Sequence, residues 1–153
     1  MGEERLIPVP PHARRAVTHV IDGRPVRWYR ELEILDEVPS IVGMVLWQDI
    51  RHVRDWAEST PEQRMVVFNS KPPLSARSKR REARAALPEL APALDAFADM
   101  RASPLSVDPA RLGAACEQVA TWAQARSFSQ TAIEWAEVGA LVAPQNPKLA
   151  NLA

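Results

Sequence analysis

The sequence predicts a mainly α-helical fold, in which a bundle of short helices follows a small N-terminal β-hairpin. After Glu37 the apolar residues recur at spacings of three and four, as they do on one face of a helix. Several of the fourteen prolines stand at first helical positions or just past helix ends. Before Glu37, an Asp-Gly pair separates two short runs rich in β-branched and aromatic residues. We therefore divide the chain into an N-terminal segment, residues 1–36, and a helical domain, residues 37–153.

The predicted hairpin pairs residues 17–21 with residues 24–29 across that Asp-Gly turn. Asp-Gly favours a two-residue hairpin turn because glycine adopts positive φ without strain and aspartate tolerates it. Pro25 has no N–H to donate, so its strand must lie at an edge or begin beyond it. Trp28 and the neighbouring tyrosine face opposite sides of the strand. One of the two rings should therefore be exposed and able to pair with another chain.

The first two helices are predicted from an apolar stripe and a capping box. Ser40 can cap a helix that runs to about Glu58, with a stripe formed by Val42, Leu46, Ile50, Val53 and Trp56. Thr60 and Gln63 have the capping-box spacing, with proline at the first helical position between them. This second helix should stop near Asn69, because prolines follow at positions 72 and 73.

The remaining helices alternate in character. Residues 74–87 predict a charged helix, and the next helix has an apolar face of Leu90, Leu94 and Phe97. Asp108 and Pro109 begin a helix whose buried stripe is Leu112, Ala115, Cys116, Val119, Trp122 and Ala123. Ser127 and Gln130 predict a second capping box, before a helix that buries Phe128, Ala132, Trp135, Ala136, Gly139 and Val142.

Small residues recur in the last two long helices. Ala120 and Ala123 precede a turn at residues 126–129, alanines continue through the next helix, and Pro144 ends it. With this pattern, residues 108–153 resemble a tetratricopeptide repeat, a family that stacks helix-turn-helix units of about 34 residues. The resemblance implies an antiparallel helix pair, although Arg126 or Ser127 stands where the family prefers glycine. The helix expected after Asn146-Pro147 either caps the stack, continues in a longer protein or docks on another subunit.

Composition limits the classes of function. Lys plus Arg and Asp plus Glu both number 19, so no net charge attracts the chain to nucleic acid or an anionic membrane. The single cysteine, Cys116, permits no intrachain disulfide and fits a reducing compartment. The N-terminus has acidic residues before any apolar run, which is unlike a signal peptide. The longest apolar run, residues 41–47, is far shorter than the roughly 20 residues of a membrane span. We expect a soluble, cytoplasmic protein.

The strongest local charge lies in residues 71–84. Six cations face a single acid there: Lys71, Arg77, Lys79, Arg80, Arg81 and Arg84. These side chains could bind nucleic-acid phosphates or an acidic partner. The alternative is a solvated helix face, because acidic residues flank the segment on both sides. No aromatic residue interleaves the cations, so the pattern does not support stacking on single-stranded bases.

A second candidate surface involves tryptophan. Trp47 lies closer to Arg51 and Arg54 on a helical projection than to the main apolar stripe. Because tryptophan and arginine are enriched at interface hot spots, we predict a partner-binding surface of Trp28, Trp47, Arg51 and Arg54. His52 has aspartates three residues away on each side, which favours a surface His–carboxylate contact.

No catalytic motif, metal-ligand spacing or cofactor signature is recognisable in the sequence. Cys116 lies on an apolar stripe, and the histidines are distant in sequence, so we interpret it as a structural residue. We therefore expect no cofactor, no metal and no catalysis. The favoured function is protein interaction or scaffolding, with another protein or a second copy as partner. A nucleic-acid-associated regulator that uses the basic helix is the alternative, and an enzyme of no recognisable family ranks third.

Overall fold

The computed structural model describes residues 20–21, 24–25, 40–68, 72 and 74–152. From residue 40 onward the described chain is helical, which confirms the mainly α fold. Its helices are α1 (Ser40–Glu58), α2 (Pro61–Val67), α3 (Leu74–Ala86), α4 (Ala91–Ala102), α5 (Pro109–Ala125), α6 (Ser129–Val142) and α7 (Pro147–Leu152). A 3-10 turn, Pro88–Leu90, leads directly into α4.

The predicted hairpin is described at only four positions. Two-residue strands, β1 (Val20–Ile21) and β2 (Arg24–Pro25), pair antiparallel, with Val20 opposite Pro25 and Ile21 opposite Arg24. The rest of the hairpin, Trp28 included, lies outside the described residues. The hairpin therefore stays a prediction.

Local side-chain chemistry sets several helix boundaries as expected. Thr60 Oγ1 accepts from the Gln63 backbone N–H at 3.3 Å, and Gln63 Oε1 accepts from the Thr60 N–H at 2.9 Å. The predicted capping box at the start of α2 is thus confirmed. Asp108 caps α5 by accepting from the Ala110 N–H at 3.0 Å, with Pro109 as the first helical residue.

The predicted second capping box is wrong. Ser127 has φ 64°, the left-handed conformation that commonly ends a helix, and its N–H donates to the Gln124 carbonyl at 3.1 Å. Phe128 occupies the N-cap position of α6 and makes no side-chain cap. Ser127 therefore terminates α5 rather than starting α6.

The predicted apolar stripes form a single core. Every stripe residue named above for α1, α4, α5 and α6 is buried. Phe97 of α4 stacks on Trp135 of α6, with ring centroids 5.0 Å apart and an interplanar angle of 27°. The stripes therefore converge on one core, with α1 packed against α3, α4 and α6.

Two glycines permit close contact between α5, α6 and α7. A Cβ at Gly113 would stand 2.5 Å from the Ala143 Cβ, and one at Gly139 would stand 2.7 Å from a Leu149 methyl and 2.9 Å from the Cys116 Cβ. These contacts join the start of α5 to the end of α6, so the two helices are antiparallel. Their spacing leaves no room for a methyl group.

We expect Gly139→Ala to destabilise the protein. Overpacking of a filled core typically costs about 1–3 kcal/mol, which outweighs the gain of about 1 kcal/mol in helix propensity. Chemical denaturation measures the free energy of unfolding, and Ala114→Gly on the exposed side of α5 gives the propensity effect alone. A Gly139→Ala variant as stable as the parent would contradict the close crossing.

Candidate functional site

A cleft of about 1110 Å³ lies between α1, α3 and α4. Arg51, His52 and Asp55 line it from α1, and Asp95, Asp99 and Arg101 line it from α4, with Phe68 beside them. The basic helix α3 supplies the remaining charges: Arg77, Lys79, Arg80, Arg81 and Arg84. We refer to this feature as the basic cleft, because seven arginine or lysine side chains and three aspartates line it.

A buried ion pair fixes α3 beside α1. Asp49 is 2% exposed, and its carboxylate faces the Arg80 guanidinium, with Nη2–Oδ1 at 2.5 Å and Nη1–Oδ2 at 2.9 Å. Arg80 Nη1 also donates to the Leu94 carbonyl of α4 at 3.2 Å. Burial raises the pKa of Asp49 against the attraction of Arg80, while Asp49 reverses the effect of burial on Arg80 and raises its pKa. Arg80 thus connects three helices and is unavailable to a ligand.

Two exposed ion pairs neutralise charges on α4. Arg84 donates to Asp95 at 3.0 and 3.2 Å, and Arg111 of α5 donates to Asp99 at 2.7 Å. Within the described part of the chain, the other cations of the basic cleft form no ion pair. These are Arg51, Arg77, Lys79, Arg81 and Arg101. The cleft therefore keeps a local excess of positive charge despite the neutral chain.

His52 lies within this positive field. Its ring meets Phe68 edge-on, with centroids 6.1 Å apart and an interplanar angle of 78°. Burial lowers the pKa of His52 to about 4, and the charges of Arg101, Arg51 and Arg80 contribute. The imidazole is consequently neutral at pH 7. The expected surface contact with Asp49 or Asp55 is wrong, since no hydrogen bond joins His52 to either within residues 40–68.

The predicted tryptophan surface is only partly exposed. Trp47 is 5% exposed and Arg54 is 3% exposed, so the placement of these two side chains on a surface is wrong. The reason is that α1 packs against three helices, which extends its burial beyond the main stripe. Arg51 is exposed and lines the basic cleft, while Trp28 lies outside the described residues. A partner-binding role for Arg51 and Trp28 stays a prediction.

The predicted basic segment divides into three groups. Arg80 and Arg84 are engaged in the pairs described above, and Lys71 lies outside the described residues. Arg77, Lys79 and Arg81 are exposed. The charged helix is therefore partly structural and partly available for binding.

Sequence reasoning missed Asp49 and Arg101. Asp49 lies three residues after Leu46 and four before Val53, which places a carboxylate on an apolar stripe. Such a position demands a cationic partner, so the sequence could have predicted a buried ion pair at Asp49, but not that Arg80 is the partner. Arg101 is the single basic residue of α4, in its last turn, and nothing in the sequence sets it apart.

Other candidate chemistries find little support. Cys116 is fully buried, which raises the pKa of its thiol well above the ordinary range. No cluster of three or more potential metal-ligating side chains occurs among the residues that the structure describes. In the same residues, no helix is long and apolar enough to cross a membrane. Comparisons with protein-family models, curated proteins and solved structures find no match to this chain.

We expect Arg80→Ala to be strongly destabilising. It leaves the buried Asp49 carboxylate without its partner, a change that typically costs about 3–5 kcal/mol. Arg81→Ala is the matched control, because it removes the same charge from the exposed neighbouring position. Urea denaturation of both variants measures the difference. Equal stabilities would show that the ion pair does not hold α3.

Acid should destabilise the fold through His52. Its folded pKa of about 4 lies below the usual value of 6.5, so the unfolded chain takes up the proton first as pH falls. The stability that the neutral imidazole contributes is therefore lost from about pH 6.5 downward, amounting to about 2 kcal/mol between pH 7 and pH 5. Denaturation at both pH values should show this loss, and His52→Gln should reduce it. An NMR titration midpoint near 6.5 for His52 itself would contradict the assignment.

Proposed function

We propose that this protein is a non-catalytic interaction module that binds an acidic segment of a partner protein in the basic cleft. The observation that carries the proposal is the group of cations without ion-pair partners among the described residues: Arg51, Arg77, Lys79, Arg81 and Arg101. Because they line one concave surface from three helices, their fields add at the same place. A cleft of about 1110 Å³ accommodates a short peptide segment.

An acidic peptide fits this charge pattern better than nucleic acid does. Asp95 and Asp99 line the same cleft and pair with Arg84 and Arg111, so the unpaired cations do not form the continuous row that a phosphate backbone would follow. None of the exposed large apolar side chains in the described part is aromatic, so bases have no evident stacking platform there. A peptide presents its charges at separate points and can leave the aspartates uncontacted.

We also propose that α5 and α6 form a tetratricopeptide-like unit that supports this cleft. Their antiparallel packing, the close contact at Gly139 and the left-handed Ser127 between them support the proposal. Exposed Ile133 and Leu141 lie eight residues apart on α6, on a face where a further helix or a second copy could pack. The single buried cysteine is the support for a cytoplasmic location.

Fluorescence anisotropy with labelled peptides tests the proposed function. A glutamate-rich peptide should bind, and a glutamine-substituted peptide of equal length should not. Replacing Arg51 and Arg77 together by Gln should weaken binding by about tenfold, at about 0.5–1 kcal/mol for each exposed charge. Lys148→Gln is the control, since this exposed lysine lies on α7, outside the cleft.

A labelled single-stranded and a labelled duplex DNA complete the experiment. If DNA binds more tightly than the acidic peptide, with a steep salt dependence, the nucleic-acid alternative replaces the proposal. If the peptide does not bind, or binds equally after the Arg51 and Arg77 substitutions, the basic cleft is not its site.

A further inference from the structure

Arg101 is the least satisfied cation of the basic cleft. Its guanidinium carbon lies 5.2 Å from the centroid of the Phe68 ring. Its Nη1 atom is buried and has no hydrogen-bond acceptor in the described part of the chain. A buried donor without an acceptor is destabilising. A hydrogen-bond acceptor from a bound ligand would therefore remove this cost.

The carboxylates around Arg101 are already engaged. Asp99, two residues earlier on α4, accepts from Arg111, and Asp95 accepts from Arg84. Asp49 across the cleft is held by Arg80, and Asp55 takes part in another interaction. Because no acid nearby is free to neutralise Arg101, an incoming anion would meet little competition.

The surroundings of Arg101 combine positive charge with partial burial. Arg51 carries a second cation to the same cleft, and His52 and Phe68 provide half-buried and buried rings beside it. Burial also lowers the pKa of Arg101, which marks a partly desolvated charge. Charge-assisted hydrogen bonds are stronger where water is excluded.

We propose that Arg101, beside His52 and Phe68, is a specific receptor for one oxyanion of the bound acidic segment. This inference rests on the proposed function and names the group that is recognised. The oxyanion is a carboxylate or a phosphoryl group carried by a side chain of the partner, since the guanidinium fork binds either through two parallel hydrogen bonds. Because Nη1 is covered in the free protein, the guanidinium group must turn into the cleft when the oxyanion binds.

Binding at Arg101 should be linked to the protonation of His52. The charged groups around His52 are Asp49, Arg51 and Asp55 of α1, Arg80 of α3 and Arg101 of α4. An oxyanion at Arg101 offsets the positive field that disfavours imidazolium, so the complex takes up a proton more readily than the free protein. For the glutamate peptide, whose carboxylate stays largely ionised above pH 5, affinity should therefore increase as the pH is lowered from 7 toward 5.

The test compares two peptides and two single-charge variants. A peptide with one phosphoserine and the same peptide with glutamate at that position are titrated by calorimetry at pH 7. Arg101→Gln should lower the affinity for the more tightly bound peptide by at least tenfold, because a bidentate contact is lost. Lys79→Gln removes one charge from the same cleft, and Lys79 is not among the cations that act on His52. This substitution should lower the affinity by about threefold or less.

Arg101→Lys keeps the charge and loses the fork, so its affinity should lie between those of the parent and Arg101→Gln. Circular dichroism checks that each variant is folded. In NMR titrations, the preferred peptide should move the His52 midpoint upward in the parent protein and leave it unchanged in Arg101→Gln.

The outcomes separate this inference from the proposed function. Preference for the phosphoserine or for the glutamate peptide identifies the source of the oxyanion. One outcome is that acidic peptides bind, that Arg101→Gln and Lys79→Gln lower the affinity equally, and that the His52 midpoint does not move. Arg101 is then not a specific receptor, while the basic cleft remains the binding site. If neither acidic peptide binds, both proposals fail. Inorganic phosphate alone, added at increasing concentration, should reproduce the upward movement of His52 if the receptor exists.

Discussion

The ion pair between Asp49 and Arg80 determines where the charged helix α3 lies. Ala83 is the only buried residue described in α3, so apolar packing contributes little to its position. The bidentate contact with Asp49 and the bond to the Leu94 carbonyl provide the attachment instead. Buried ion pairs contribute modestly to net stability, but leaving one partner alone is costly. The pair therefore selects one arrangement of α1, α3 and α4, and the basic cleft is its consequence.

The same contact explains why the cleft carries a specific pattern of charge. Arg80 is neutralised by Asp49, and Arg84 is neutralised at the exposed edge by Asp95. Burial, together with the nearby cations, keeps His52 neutral, and Arg101 Nη1 has no acceptor among the described residues. In the proposed function, this arrangement supplies the positive charge that recognises an anion. His52, with a pKa of about 4, is a weak base, and Cys116 is buried.

The C-terminal helices provide a rigid base for this site. Gly139 lets α6 approach Cys116 of α5 and Leu149 of α7, and Trp135 of α6 stacks on Phe97 of α4. Close packing of this kind fixes the position of each helix relative to its neighbours. Side chains on α4, including Arg101, are therefore placed relative to the cleft by the core beneath them.

The sequence by itself determined the helices, their apolar faces and several of their ends. These features depend on residues close together in the chain, such as the stripe from Val42 to Trp56 and the capping box of Thr60 and Gln63. It failed at Ser127, where the same spacing of polar residues fits either a helix start or a helix end. It also failed at Trp47 and Arg54, because a helical projection shows one face but not how many neighbours surround the helix.

The tertiary structure alone decided the site. Asp49 and Arg80 are 31 residues apart in the chain, and His52 and Arg101 are still further apart, so no local pattern relates them. Which cations are neutralised and which remain available depends on the carboxylates that folding brings near. Local hydrogen bonding and hydrophobic periodicity act within a few residues, whereas electrostatic pairing in a cleft acts between helices.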